Sequence, residues 1–90
     1  EAAALGIIET YSLASAVICA DAAVKAAEID LIEIRLGRGL GGKSFITLTG
    51  EVAAVKAAVA AAAEIGEEHG MMANTVVIPS PHPDLFKAIY

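Results

Sequence analysis

The sequence predicts an α+β fold of the ferredoxin-like split βαβ type (βαββαβ), with one antiparallel sheet, two helices on one of its faces and a short C-terminal helix. Three observations lead to this prediction. Six periodic segments follow one another in the order strand, helix, strand, strand, helix, strand. The chain has 90 residues, which is enough for one core and little more. No linker or low-complexity segment divides the sequence, so we expect one domain over residues 1–90.

The first two predicted elements are a strand and a helix. Residues 4–10 (ALGIIET) are rich in Ile and Leu, which is typical of a short buried strand. A helix is predicted after Ser12, because a serine hydroxyl can accept a hydrogen bond from an unpaired amide of the first turn. Five apolar residues recur at helical spacing and predict the buried face: Leu13, Val17, Ala20, Val24 and Ala27.

The second predicted strand covers residues 30–36 (DLIEIRL), where the side chains alternate in character. The alternation separates two faces: Ile32, Ile34 and Leu36 on one, and Leu31, Glu33 and Arg35 on the other. A strand of this kind has one side that contacts water or another subunit.

The second half of the chain repeats the strand and helix pattern. Residues 44–49 (SFITLT) are rich in β-branched side chains and predict a third strand. A helix is predicted over residues 50–66, with Glu51 at the positive end of its dipole and Gly66 as its stop. Its apolar stripe consists of Val52, Val55, Val59 and Ala62. We expect a turn or short loop over residues 69–74, a fourth strand over residues 75–79, and a short helix from Asp84 onward.

The composition favours an oligomer and disfavours several classes of partner. Hydrophobic residues make up 57% of the chain, and many of them are alanines, so we expect subunit interfaces to cover alanine-rich surface. The net charge is −5 with only six Lys and Arg residues, which disfavours nucleic-acid binding. Cys19 is the single cysteine, so a cysteine metal cage within one chain is excluded.

The sequence offers few indications of where in the cell the protein is located. No apolar run approaches the roughly 20 residues of a membrane span, and no signal peptide is visible, so we expect a cytosolic protein without membrane contact. The first residue is Glu1 rather than Met, so we expect that the chain has been trimmed, processed, engineered or cut from something longer.

The segment GRGLGGKS (residues 37–44) matches two phosphate-binding patterns, G-x-G-x-x-G and G-x-x-x-x-G-K-[ST]. Both patterns require the loop to lead into a helix N-terminus. Here the segment leads into the predicted third strand, so nucleotide binding is disfavoured. The alternative is that these glycines permit close approach of backbones, for example around a symmetry axis.

Four segments together resemble bacterial microcompartment shell proteins: LGIIET, CADAAVKAAEIDLIEIRLG, GLGGKSFITLTGEVAAVKAAV and VVIPSPHPDL. The resemblance runs from about Ala4 to the C-terminus. It implies a structural protein of six-sided tiles with a central pore, built from hexamers of single domains or trimers of tandem domains. The segment IRLGRGLGGKSFITLTGE looks most like the second domain of a tandem, trimer-forming member. The implied partners are other copies, other shell proteins, enclosed enzymes and small metabolites, in the cytoplasm of a bacterium.

The resemblance also implies roles for particular residues. The pore would be lined by Arg38, Gly39, Leu40, Gly41 and Gly42. The edge between tiles would contain Lys25, Pro79, Ser80 and His82, and Ser80 replaces an arginine that is usual in the family's I-P-R-P-H motif. Some tandem members hold an iron–sulfur cluster through a loop cysteine; this loop has none, so no cofactor or metal is expected.

Other functions remain as alternatives. A small-molecule or nucleotide-binding regulator on the same oligomeric scaffold is the second interpretation, and it would depend on Lys43. An enzyme is third, because the carboxylates are scattered and no catalytic set is evident. We expect Cys19 to be a buried structural thiol and His69 to be solvated.

Overall fold

The computed structural model describes residues 3–36 and 43–79, and it confirms the predicted α+β fold class and the order of the six elements. The strands are β1 (Ala3–Thr10), β2 (Asp30–Leu36), β3 (Ser44–Glu51) and β4 (Met72–Pro79). The helices are α1 (Leu13–Ala26) and α2 (Val52–Glu68). The helix predicted from Asp84 onward lies outside the described residues.

The four strands form one antiparallel sheet in the order β2-β3-β1-β4. The central pair, β1 and β3, is in register along its whole length, from Ala3 opposite Glu51 to Thr10 opposite Ser44. Thr49 strengthens this pairing, because its buried Oγ1 donates a hydrogen bond of 2.7 Å to the carbonyl of Ala4. The observed order is that of a split βαβ arrangement.

The two ends of the sheet, along the strand direction, carry different residues. We call the end where β2 finishes and β3 begins the loop end. At the loop end, β1 finishes at Thr10, β2 finishes at Leu36 and β3 begins at Ser44. At the opposite end, Ala3 lies across from Glu51, and Ala4 lies across from Pro79. Strands of eight residues separate these ends by about 24 Å, at about 3.4 Å per residue.

The core lies between the sheet and the two helices. The sheet contributes Ile8, Ile46 and Leu48, and α2 contributes Val55 and Val59. Gly6 lets α2 approach closely, because a Cβ added there would lie 2.8 Å from Leu48 Cδ1 and 3.0 Å from a methyl of each valine. The small size of residue 6 therefore sets how near this helix packs to β1.

The inner face of α1 differs from the predicted one. Its buried residues are small: Ala16, Cys19, Ala20 and Ala23. The prediction was correct for Ala20 but wrong for Leu13, Val17 and Val24, which are 50%, 55% and 43% exposed. Both sets have helical spacing, and the small set is the one that packs closely on the sheet and α2.

The ends of both helices have identifiable caps. The predicted cap of α1 is confirmed, because Ser12 Oγ accepts a hydrogen bond of 3.1 Å from the amide of Ser15. In contrast, α2 does not stop at Gly66, which is buried within the helix. It ends in a Schellman motif around Gly70, whose φ is 66°. The amide of Gly70 bonds to the carbonyl of Glu67 at 3.3 Å, and the amide of Met71 bonds to that of Gly66 at 2.7 Å.

Two further details correct the sequence prediction. The register between β2 and β3 shifts between Leu31 and Glu33, so the strict alternation predicted for residues 30–36 is interrupted. Leu31 lies across from Leu48, on the helix-covered face, and not on the face of Glu33. The predicted loop over residues 69–74 is also shorter than expected, because β4 already begins at Met72.

Candidate functional site

The ends of β2 and β3 that flank the glycine-rich connection lie at the loop end of the sheet. Residues 37–42 lie outside the described residues, and so do the five predicted pore residues, Arg38, Gly39, Leu40, Gly41 and Gly42. The flanking strands are fully paired up to the connection, because Leu36 lies across from Ser44 and Ser44 lies across from Thr10. The connection therefore starts and finishes on two adjacent strands, one of which is at the edge of the sheet.

Three side chains form a cluster at the base of this connection. Lys43 Nζ lies 3.8 Å from Glu9 Oε2 and 5.9 Å from the centre of the Tyr11 ring. The Lys43 side chain is 39% exposed and that of Glu9 is 23% exposed, so the ion pair adds little to stability. Its effect is to direct the Lys43 ammonium toward β1 and Tyr11.

A buried polar junction lies beside this cluster. Thr10 Oγ1 donates to the carbonyl of Ser12 at 3.0 Å and lies 3.5 Å from the carbonyl of Ser44. The Ser44 hydroxyl is fully buried and has no hydrogen-bond partner among the described residues. These contacts connect the start of α1 to the start of β3, and they fix the point where the chain re-enters the sheet after residue 42.

This geometry argues against the phosphate-binding interpretation. The last two residues of that motif are Lys43 and Ser44, and they lead into β3 and not into a helix. A phosphate loop needs helix amides, a free lysine and a serine hydroxyl that can reach a magnesium ion. Here Lys43 faces Glu9, and Ser44 is buried, so neither has the position that the motif requires.

Two of the predicted edge residues, Lys25 and Pro79, lie at the opposite end of the sheet. Lys25 is in the last turn of α1, and its Nζ lies 2.9 Å from Asp21 Oδ2. Both side chains are mostly exposed, at 74% and 57%, so they are open to a neighbouring molecule. Pro79 is the last residue of β4 and lies across from Ala4. Ser80 and His82 lie outside the described residues.

Lys25 and Pro79 lie at the same end of the sheet, but near its two different edges. Helix α1 packs over β2 and β3, whereas β4 is the edge strand on the other side. The structure therefore separates these two predicted edge residues laterally and places both about a strand length from the β2–β3 connection.

The remaining candidate residues have structural explanations. Cys19 is fully buried, as predicted, and burial raises the pKa of its thiol. His69 is exposed at the C-cap of α2, also as predicted, with Nε2 3.7 Å from Glu68 Oε1. Over residues 3–36 and 43–79, no group of three His, Cys, Asp or Glu side chains is arranged to hold a metal ion. In the same ranges, neither helix is long and apolar enough to cross a membrane.

Sequence reasoning missed the cluster of Glu9, Tyr11 and Lys43. Lys43 is far in sequence from Glu9 and Tyr11, and the register of β1 with β3 brings it to them. The available signal was modest: a charged residue at the end of each of two adjacent strands, with opposite signs.

The chain matches the family model of the BMC domain over residues 4–81. It is 38% identical over 84 residues to the bacterial microcompartment shell protein PduT of Citrobacter freundii, which covers 93% of this chain and 46% of PduT. It is 41% identical over 83 residues to the shell protein EutM of Salmonella typhimurium, covering 91% of this chain and 83% of EutM. It is 39% identical over 87 residues to the shell protein PduA of Citrobacter freundii, covering 96% of this chain and 90% of PduA.

A solved structure also matches. The crystal structure of a microcompartment protein from Desulfitobacterium hafniense has a TM-score of 0.86 and 56% sequence identity with this chain. The match covers 93% of this chain and 47% of that protein, so the chain spans about half the length of this relative and of PduT.

These similarities decide between the interpretations of the sequence. The relatives are shell proteins, which supports a structural role and does not favour the small-molecule or nucleotide-binding regulator. The family model covers most of the described structure, including all six elements. The chain therefore belongs to the BMC-domain family of bacterial microcompartment shell proteins.

Proposed function

We propose that this chain is a non-catalytic tile of a bacterial microcompartment shell, in which copies assemble around a central pore. One observation carries this proposal: the β2–β3 connection leaves the sheet at the loop end, whereas Lys25 and Pro79 lie at the opposite end. A ring that gathers the loop ends at its centre turns the opposite ends outward. The same orientation thus places the glycines at an axis and Lys25 at the rim.

The pore is formed in this proposal by Arg38, Gly39, Leu40, Gly41 and Gly42. Glycines permit several backbones to crowd one axis, because they have no Cβ to collide and they tolerate positive φ. Arg38 is repeated by the symmetry of the ring and gives the pore a concentrated positive charge. Such a charge favours the passage of small anionic metabolites, although the chain as a whole is acidic.

The tile edge is formed by Lys25 together with Pro79, Ser80 and His82. Lys25 is open to a neighbour because its only described ion pair is the exposed contact with Asp21 on its own helix. Ser80 is shorter than the arginine it replaces in the usual motif, so it supplies less lateral contact. The neighbours at this edge are other copies of the tile and other shell proteins.

Two ring compositions suit these features: six copies of this domain, or three tandem chains that each contribute two domains. The chain is a single BMC domain and covers 83% of EutM and 90% of PduA, which supports the hexamer; its match to 46% of PduT does not by itself support a position as the second domain of a tandem chain. In either case the ring lies in a shell within the bacterial cytoplasm and surrounds enclosed enzymes.

The test combines the mass of the particle in solution with images of assembled material. We expect light scattering to give a closed oligomer, and electron microscopy to show sheets, tubes or polyhedra of hexagonal tiles. Lys25→Ala should keep the oligomer but lose the extended assemblies, because the Asp21 pair is exposed and contributes only about 0.2–1 kcal/mol to folding.

The matched control is Lys56→Ala, which removes the same charge from the exposed surface of α2. This control should assemble like the wild type. A stable wild-type monomer would contradict the tile itself. Normal assembly of Lys25→Ala would contradict only the role of Lys25 at the edge.

A further inference from the structure

One fully buried residue of the sheet lies outside the core between the sheet and the helices. Leu5 is 0% exposed, but it is not a member of the core cluster. Its neighbour Gly6 faces α2, because a Cβ added there would contact Val55 and Val59. Successive residues of a strand face opposite sides of the sheet, so Leu5 lies on the side away from the helices.

Two threonines on the same side are also buried. Thr49 lies across from Leu5, Thr47 lies across from Ile7, and each threonine is 9% exposed. We call the side that carries these four residues the helix-free face. Ile7 is only partly buried, and its neighbour on β4, Val76, is 47% exposed. Burial on this face therefore increases toward the end of the sheet opposite the loop end.

The sheet alone does not explain the burial of Leu5. Leu5 and Ile7 have similar neighbours, since each lies between a threonine of β3 and a β-branched residue of β4. Cross-strand neighbours shield the flanks of a side chain and leave its outer end open. Both helices pack on the other face of the sheet. The cover over Leu5 therefore comes from outside residues 3–36 and 43–79.

Residues 80–90 are the segment whose starting point and length suit this cover. Pro79, the last residue of β4, is one position beyond the residue paired with Leu5. Residues 37–42 are attached at the loop end, about 17 Å from Leu5 at about 3.4 Å per residue of strand. Residues 1–2 are too few to cover positions on two strands.

The sequence of this segment also suits the position. Pro81 and Pro83 lack backbone amides, which disfavours a continuation of β4 as a paired strand. Beyond them, a helix would gather the apolar residues within an arc of about 140°. These residues are Leu85, Phe86, Ile89 and Tyr90.

The length of such a helix fits the distance that it must cross. Seven residues, 84–90, make a helix about 10 Å long at about 1.5 Å per residue. Two strand spacings, from β4 over β1 to β3, are also about 10 Å. The segment can therefore leave β4 at Pro79, pass over Leu5 and reach the threonines of β3.

We propose that residues 80–90 fold over the helix-free face of their own chain, with their apolar side on Leu5, Thr47 and Thr49. This inference does not depend on the proposed tile, because it concerns contacts within one chain. It gives the domain a second, smaller apolar core on the side of the sheet away from the helices. The outer side of the segment then carries Asp84 and Lys87, which water can solvate.

The first test is methyl NMR of the wild-type chain. The aromatic residues that the structure describes, Tyr11 and Phe45, lie near the loop end, at least about 13 Å along β1 from Leu5. A nuclear Overhauser effect between a Leu5 methyl and an aromatic ring therefore identifies Phe86 or Tyr90, and one to a methyl of the same apolar side is equally informative. We expect at least one such contact, and none in an assigned spectrum would overturn the proposal.

A mixture of differently labelled copies separates contacts within one chain from contacts between chains. We expect the Leu5 contacts to persist within single labelled chains. Contacts that arise only between copies would assign the cover to a neighbouring molecule and would overturn the proposal.

The second test measures access to the helix-free face. Thr47→Cys places a thiol under the proposed cover, in a Cys19→Ala background that has no other thiol. Maleimide labelling should be slow, and adding Phe86→Asp should accelerate it by about tenfold or more, because a carboxylate cannot remain against an apolar surface. Ala88→Asp is the matched control, since residue 88 falls on the other side of the predicted helix, and it should leave labelling slow.

Circular dichroism checks that each variant is folded. Equal labelling rates in the folded Phe86→Asp and Ala88→Asp variants would contradict a cover made by residues 80–90. The outcome is distinct from that of the proposed function: a monomer with the expected contacts and labelling rates would contradict the tile and support this inference.

Discussion

Gly6 is the position where the packing of α2 on the sheet is most sensitive to one added atom. In Gly6→Ala, the new Cβ would lie 2.8 Å from Leu48 Cδ1, 3.0 Å from Val55 Cγ1 and 3.0 Å from Val59 Cγ2. Ordinary carbon contacts are about 3.5–4.0 Å, so each neighbour must move by about half an ångström, and Leu48 by somewhat more. Leu48 can change its terminal rotamer, but the two valines are stiff at χ1 and belong to the helix. The helix itself must therefore shift away from β1.

The size of this effect follows from two opposing terms. Overpacking a well-packed core costs about 1–3 kcal/mol. Replacing a glycine by alanine returns about 0.4–1 kcal/mol, because the unfolded chain loses conformational freedom. We therefore expect Gly6→Ala to lower the free energy of unfolding by about 1–2 kcal/mol, measured by urea denaturation at one fixed protein concentration.

Gly50→Ala is the control for this substitution, because residue 50 is also a glycine within the sheet. Its added Cβ would have one tight neighbour, Ile29 Cγ2 at 3.2 Å, and its next contacts are at 3.5 Å. We expect Gly50→Ala to lower the free energy of unfolding by less than Gly6→Ala does, or not at all. Equal stability of the two variants, or a Gly6→Ala protein more stable than the wild type, would refute the argument that residue 6 limits the approach of α2.

Three further predictions concern the end of α2 and the buried thiol. Gly70→Ala should lower the free energy of unfolding by about 1 kcal/mol in urea denaturation, because residue 70 has a left-handed φ of 66° and a new methyl there would contact no atom. Gly70→Asn should lose less stability, because asparagine tolerates a left-handed φ better than alanine does. Equal losses in the two variants would argue against a backbone cause. Cys19 should react with a thiol reagent only at the rate of unfolding, because it is fully buried. Burial raises the pKa of the Cys19 thiol. Above the ordinary thiol pKa, the folded state therefore keeps a proton that the unfolded state releases. The free energy of unfolding should fall as pH rises from the ordinary thiol pKa toward the raised one. Cys19→Ala should remove this slope, and rapid labelling of the native protein would contradict the buried position.

Periodicity in the sequence was sufficient to predict the six elements and their order. Alternation and helical spacing depend on the backbone repeat alone, so they can be recognised in a sequence without knowledge of tertiary contacts. The same property explains the error on α1. Leu13, Val17 and Val24 recur at helical spacing, as Ala16, Ala20 and Ala23 also do, and hydropathy favours the larger side chains. Only the distance between the helix and the sheet decides which set fits inside, and that distance is a tertiary quantity.

The ends of elements were less predictable because they depend on particular hydrogen bonds. Gly66 and Gly70 are both reasonable stops for α2, but Gly70 is the one that adopts the left-handed φ, and the Met71 amide then bonds to the Gly66 carbonyl. Similarly, the irregular register of β2 arises at Leu31, where no glycine or proline marks it. In both cases the deciding contact joins groups whose positions follow from the whole fold.

The candidate site also has one part that the sequence predicted and one part that only the structure shows. Lys25 and the β2–β3 connection could be selected from the sequence because the resemblance to a family supplied their roles. The cluster of Glu9, Tyr11 and Lys43 has no local motif, since it depends on the pairing of β1 with β3. The structure adds the relation between the parts: the connection and Lys25 are at opposite ends of one sheet, about a strand length apart.

The small inner face of α1 and the missing side chain at Gly6 have the same consequence for the molecule. Each lets a helix pack close to the sheet, and the Cα positions extend only 15 Å along the shortest axis, against 34 and 27 Å along the others. A chain of 90 residues that leaves several large apolar side chains of α1 on its surface has a small core, and small cores give little stability on their own. The side chains exposed on α1 can stabilise the fold only when a neighbour covers them. In the proposed tile, folding and assembly of this domain are therefore coupled, because the contact that completes the ring also covers the exposed apolar side chains.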